Sequence, residues 1–312
     1  MRRAHALLIV PLLATTAAAA VSGCSSSSSS SPSSGASASV MATGKFGAAP
    51  KVTIPAQAAG SSLTVKTLIQ GNGAGLTTTD DFLGNYVVYD WSGSTHKLLV
   101  STYTSKPAVF SGKLLTGLED AVIGKKVGSR VLAVIPPKDG FGVQGNSQAG
   151  IKGTDTLVFV IDLLQRFGNT ATGASVSSGG GSLPTVANTG TSPTVKVPSS
   201  TPPKNLIAET LIKGTGPAVT KGQYLVVQYT GVNWRTGQVF DSSWSHGAPT
   251  AFTIGAGQLI KGWDDGLVGK TVGSRVLLVI PPKEGYGSNG QAQAGIKGTD
   301  TLVFVVDILA AR

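Results

Sequence analysis

The chain repeats itself at long range. Gly128 to Gly142 reads GSRVLAVIPPKDGFG and Gly273 to Gly287 reads GSRVLLVIPPKEGYG, identical at 12 of 15 positions and 145 residues apart. Gln148 to Asp162 agrees with Gln293 to Asp307 at 14 of 15. A solenoid unit would recur every 20 to 50 residues, so this period marks a whole duplicated domain of roughly 105 to 110 residues. Low-complexity sequence flanks both copies. An unbroken serine run from Ser25 to Ser31 continues as Ser, Ala and Gly to about Gly60, and Gly168 to Pro203 carries Gly179-Gly180-Gly181 followed by five prolines. Such segments hold too little apolar surface to offset their ordering entropy. The expected organisation is a leader at 1–23, a Ser-rich disordered tether at 24–59, domains at 60–167 and 204–312, and a Gly/Pro/Thr-rich linker at 168–203. The exposed linker makes independent domain motion the expectation.

Arg2 and Arg3 precede an apolar run from Ala6 to Val21 that ends in Val21-Ser22-Gly23-Cys24. That order of charge, apolar core and small residues is a secretory signal, and a run of 16 residues falls short of the ~20 that a membrane-spanning helix needs. Val-Ser-Gly-Cys resembles the bacterial lipobox, which implies cleavage before Cys24 and lipids on its thiol. The expected location is the extracytoplasmic face of the cell membrane. A formal charge of +10 suggests nucleic acid, but its distribution does not: residues 60–167 hold 10 basic and 8 acidic side chains, and residues 204–312 hold 10 and 7. Half the excess lies outside both domains, and no stretch interleaves Lys and Arg with aromatics as a nucleic-acid groove requires. One cysteine excludes disulfides and cysteine-built zinc sites. His5, His96 and His246 are far apart, so neither metal nor cofactor is expected.

In the second copy Gln223–Tyr229, Arg275–Ile280 and Thr301–Leu309 are rich in β-branched and aromatic residues and bounded by turn signals, which predicts strands. One segment has helical spacing, with Ile260, Trp263 and Leu267 on one face and Asp264 and Asp265 on another. The predicted class is α+β, a curved antiparallel sheet wrapped around one short helix in each domain. An apolar pocket floored by Trp263 would open at the helix end.

These residues carry a resemblance. Tyr229-Thr230-Gly231, Phe240-Asp241-Ser242-Ser243, Leu259-Ile260-Lys261-Gly262-Trp263, Ile280-Pro281-Pro282 with Gly285-Tyr286-Gly287, and Thr301-Leu302-Val303-Phe304 resemble, in order and spacing, the FKBP-type peptidyl-prolyl cis-trans isomerases over residues 204–312. The resemblance implies isomerisation of X-Pro bonds in exported proteins without cofactor or metal. It implies a pocket floored by Trp263, walled by Phe240, Leu259, Ile260, Ile296, Phe304 and Tyr229, with Asp241 and Tyr286 at its rim. The Ile260 N–H and the Tyr286 hydroxyl are the implied donors to substrate carbonyls. Asp241 would orient the Tyr229 hydroxyl or act on the twisted amide. Macrolide inhibitors of the family are implied ligands of the same pocket. Taken singly, Asp241 would be a turn cap and Trp263, Ile260 and Phe304 ordinary core.

Thr250, Gln258 and Gly295 depart from the family pattern and would weaken the grip on bulky groups. The first copy departs further: Leu118 matches Trp263, Phe141 matches Tyr286, Leu115 matches Ile260, and Leu99-Val100 falls opposite Phe240-Asp241. Asp90 or Trp91 lies closest to Tyr229. A degenerate FKBP-like domain with little or no isomerase activity is expected at 60–167, serving for spacing or for binding extended chains. The alternative for the whole protein is a non-catalytic holdase for proline-containing or unfolded segments.

Overall fold

The central strands are apolar on both faces, and this dictates the architecture. Arg130–Ile135 and Arg275–Ile280 are buried at every position, where a sheet with one wet face would alternate. A computed structural model describes residues 39–187 and 192–312. The leader, Cys24 and most of the Ser-rich stretch lie outside these residues.

In the first copy β1 (Met41–Thr43) and β2 (Lys51–Thr53) form a hairpin. There follow β3 (Thr64–Ile69), β4 (Asp81–Ser92), β5 (Thr95–Ser101), β6 (Ala108–Phe110), the helix α1 (Thr116–Val122), β7 (Arg130–Ile135) and β8 (Thr156–Phe167). The sheet is antiparallel, in the order β3-β7-β8-β4-β5 with β6 beside β4. The intervening segment forms β9 (Ala174–Ser175), β10 (Thr185–Ala187) and β11 (Thr194–Lys196). The second copy runs β12 (Ile207–Lys213), β13 (Tyr224–Asn233), β14 (Val239–Ser242), β15 (Thr250–Thr253), α2 (Lys261–Leu267), β16 (Arg275–Ile280) and β17 (Leu302–Ala311). Its strand order is β14-β13-β17-β16-β12-β9, with β15 beside β13. This is the expected α+β class, one short helix against a curved antiparallel sheet in each copy.

Each helix lies on the inner face of its sheet. α2 comes close because Gly262 and Gly266 face it: a Cβ on either would fall 2.6 Å from Ile280 or Leu278. Trp263, between them, is thereby pressed into a core with Leu278, Ile280, Phe304 and Val306. The outer face has its own cover. In the first copy Val40 and Ile54 pack on Leu132, Val134, Val158 and Val160. In the second, Val186 packs with Leu277, Val279, Val303 and Val305, joined by Leu183, Val195 and Val197. Trp91 donates its indole N–H to the Gln57 carbonyl at 2.9 Å, and Trp234 donates to that of Ser200 at 3.1 Å.

The low-complexity segments are therefore structural where they are described. Residues 40–59, expected within the tether, and most of 168–203, expected as a free linker, cover the outer sheet faces. Their few valines and leucines suffice because the apolar strands beneath supply the rest of the contact. Both segments also reach a buried ion pair. Arg130 bonds Asp162 at 2.6 and 2.7 Å, and Gly47 N–H donates to Asp162 at 2.8 Å. Arg275 bonds Asp307 at the same distances, and Ala171 N–H donates to Asp307 at 2.9 Å.

Val40 to Arg312 form one compact unit. Leu83, Leu164 and Phe167 of the first copy join Val226, Leu309 and Ala310 of the second in one apolar cluster. Arg312 caps it, donating to the Leu164 carbonyl at 3.3 Å. A fragment of residues 204–312 should be less stable than one of 169–312 by ~4 kcal/mol, about 1 kcal/mol for each apolar side chain uncovered. Urea unfolding of the two fragments measures the difference.

Candidate functional site

A cavity of about 270 Å³ opens at the N-terminal end of α2. Trp263 forms its floor and is 5% exposed. Three rings meet Trp263 edge to face: Phe304 at 5.2 Å, Phe252 at 5.2 Å and Tyr229 at 5.4 Å between centroids. Phe240 stands edge to face on Phe304 at 5.4 Å. Perpendicular packing is favoured because a ring's positive edge meets its neighbour's negative face. The result is a rigid box that accepts a compact apolar group. Leu259 and Ile260 complete the walls, and Gln258, Asp241 and Tyr286 line the rim.

The polar part is small. β13 and β14 pair with Gly231 opposite Asp241, which brings the Tyr229 hydroxyl 2.5 Å from Asp241 Oδ2 as a donor. Burial first, and then the bond to Asp241, push the Tyr229 hydroxyl far above the usual tyrosine range. Tyr229 therefore remains a neutral donor throughout the physiological range. Burial and the charge of Asp241 also raise Tyr286. Ile260 is the N-cap of α2 and no side chain caps it; the first N–H groups of a helix lack intrahelical acceptors. Asp300, which accepts from Arg235 at 2.7 and 2.8 Å and from Lys297 N–H at 2.9 Å, anchors the far end of the loop that begins at Tyr286.

Eight of the nine pocket residues named from the sequence border this cavity: Tyr229, Phe240, Asp241, Leu259, Ile260, Trp263, Tyr286 and Phe304. Ile296 does not. It is 4% exposed and belongs to the core, because Gln291 exchanges backbone hydrogen bonds with it at 2.8 and 3.0 Å and folds its side chain under the loop. Two residues at the site were missed. Phe252 lies in β15 (Thr250–Thr253), a four-residue strand whose sequence carries no alternation to mark it. His246 comes within 3.5 Å of Asp241 Oδ1; nothing in the sequence predicts this contact across a turn.

The model of the FKBP-type peptidyl-prolyl cis-trans isomerases matches residues 83–164 and again 216–309. The chain belongs to this family. It is 42% identical over 118 residues to an FK506-binding protein of Streptomyces anulatus, covering 38% of this chain and 95% of the relative. It is 37% identical over 119 residues to a probable FK506-binding protein of Corynebacterium glutamicum, covering 38% of this chain and 98% of that protein. The crystal structure of AtFKBP13 is similar over 36% of this chain and 96% of its own, at 33% identity and a TM-score of 0.33. The chain is thus a tandem of FKBP-type domains, and its enzyme class is peptidyl-prolyl cis-trans isomerase.

The second FKBP-type segment matches the chemistry of that class. Rotating an X-Pro amide crosses a barrier of ~18–20 kcal/mol because the twisted form loses resonance. The twisted amide is less polar than the planar one, so an apolar box with few fixed donors favours it differentially. No nucleophile is required.

The first segment keeps the frame and loses the rim. Tyr86 pairs with Ile161 as Tyr229 pairs with Val306. Its N–H donates to Thr102 Oγ1 at 2.9 Å as that of Tyr229 donates to Ser243 Oγ at 2.8 Å. Tyr86, and neither Asp90 nor Trp91, is therefore the counterpart of Tyr229. Val100 lies opposite Val88 as Asp241 lies opposite Gly231, so no carboxylate stands at Tyr86.

A tyrosine whose ionisation is raised on folding stabilises the native state fully below the ordinary value of about 10, and this contribution is lost as pH climbs toward the native value. Tyr229→Phe should therefore weaken the loss of stability between about pH 10 and 12 relative to wild type. Denaturant melts across that range test it.

Proposed function

We propose that the second domain carries the isomerase activity and that its substrates are X-Pro bonds in exported proteins. The observation that carries this reading is the hydrogen-bonded pair of Tyr229 and Asp241 above Trp263, set against Val100 and Leu118 at the corresponding places of the first domain. Proline enters the aromatic box. Tyr286 and the Ile260 N–H hold the flanking carbonyls, and the Tyr229–Asp241 pair fixes the polar edge against which the amide twists. Macrolides of the kind implied by the relatives' name would occupy the same box. The signal-like leader and the Val-Ser-Gly-Cys sequence support export and a lipid anchor on Cys24 at the extracytoplasmic membrane face. Mass spectrometry of membrane-bound protein should find Cys24 acylated and N-terminal; intact Arg2 and Arg3 would refute the anchor.

For the first domain we propose binding of extended, unfolded chain without catalysis. Leu98, Val100 and Val143 are 47%, 42% and 88% exposed, and Val100 occupies the position of the missing carboxylate. The full chain should accelerate proline-limited refolding. Asp241→Ala should lower kcat/KM about tenfold, and Trp263→Leu, which copies Leu118, by a similar factor. Combining them should lower kcat/KM about a hundredfold. Activity well above that level in the double variant would assign isomerisation to the first domain. Equal refolding rates with and without wild-type protein would leave only the holdase.

A further inference from the structure

We propose that Gln228 is a positioning residue for the isomerase site, anchored by Asn169 of the interdomain segment and acting through Ser243 on the backbone of Tyr229. The inference rests on assigning catalysis to the second domain and adds a component from outside the pocket. Gln228 is 2% exposed and Ser243 is 0% exposed. Adjacent residues of a strand point to opposite faces: Tyr229 faces the box, and Gln228 faces the side where the first domain and its connecting chain pack. Val226, two residues earlier on that side, sits in the interdomain cluster.

Three hydrogen bonds run in series. Gln228 Nε2 donates to Asn169 Oδ1 at 2.7 Å. The Ser243 hydroxyl donates to Gln228 Oε1. Tyr229 N–H donates to Ser243 Oγ at 2.8 Å. A serine hydroxyl has one proton, and here its alternative acceptor is the Tyr229 carbonyl at 3.4 Å. Gln228 draws that proton away and so sets the distance between β13 and the end of β14. Tyr229 and Asp241 lie on these two strands, and their 2.5 Å bond depends on that distance. Asn169 fixes the amide orientation of Gln228 by taking its N–H. Two residues on, Ala171 N–H is held by Asp307, which pairs directly across from Gln228 in the sheet. The interdomain segment therefore grips both strands that flank the site.

The first domain provides an internal comparison. Asn85, one methylene shorter, pairs with Asp162 as Gln228 pairs with Asp307. Thr102 reaches Asn85 Oδ1 only at 3.3 Å and the Tyr86 carbonyl at 3.4 Å. The relay is slack where the carboxylate is replaced by Val100, and tight where Asp241 is present.

The test uses the full chain. Gln228→Met should lower kcat/KM about tenfold, mainly in kcat, because the box that binds proline is untouched. Asn169 is exposed, so Asn169→Ala leaves the core intact and should lower kcat/KM about threefold; Asn169→Asp, which keeps the acceptor, should restore it. Amide hydrogen exchange at Tyr229 should quicken about tenfold in the first two variants and return to the wild-type rate in Asn169→Asp. Folded Gln228→Met or Asn169→Ala with wild-type kcat and exchange overturns the proposal, as does a loss that follows only the unfolded fraction. If Gln228→Met fails to fold, the Asn169 pair decides. A wild-type chain without activity would refute the assigned catalysis, and the exchange rates at Tyr229 would still decide the positioning.

Discussion

A strand that is apolar on both faces has to be covered twice, and every larger feature of this chain follows from that demand. Arg275–Ile280 and Leu302–Ala311 turn one row of side chains to α2 and the other outward. The inner row builds the aromatic box. The outer row recruits chain that would otherwise stay solvated, and in doing so brings the interdomain segment within reach of Asp307 and Gln228. Without that second cover the sheet would bury a single face.

The buried ion pairs show the same logic in polar terms. Arg275 and Asp307 lose water on burial, and such pairs seldom gain stability over apolar residues of equal size. Their geometry does confer position. A doubly bonded guanidinium and carboxylate fix the register of β16 against β17, and the remaining carboxylate capacity captures Ala171 from the linker. Arg130, Asp162 and Gly47 repeat the device with a different stretch of chain. Duplication has thus preserved the need for a cover while changing the segment that meets it.

The fold class and most of the box were legible because they rest on local signals: a duplicated motif, strand periodicity and one helical triplet around Trp263. What escaped depends on long-range contact. Tyr86 was hidden because Tyr86 to Val100 spans two more residues than Tyr229 to Asp241, so an alignment anchored on the better-matched half loses register. The first cover was hidden behind the serine run that precedes it, and the second because Gly, Ser and Thr dominate its composition. Their few valines become informative only once the outer face beneath them is recognised as apolar, and the unbroken run RVLLVI carried that information. The resemblance places Ile296 in the wall, whereas the Gln291 bridge turns it into the core. Asn169 and Gln228 have no motif, since each is defined by the other 59 residues away.

The order in which the covers are synthesised has a consequence for how the chain folds. Gly47 meets Asp162 across 115 residues and Ala171 meets Asp307 across 136, so in each copy the stretch made first closes onto the last strand made. Loops this long are slow to close, and folding rate falls as contacts become less local. Each domain must therefore hold its earliest segment in waiting until its final strand emerges, and a stretch dominated by small residues, with few large apolar ones, can wait in water. The composition that disguises these segments as tethers is thus suited to the interval before they are needed.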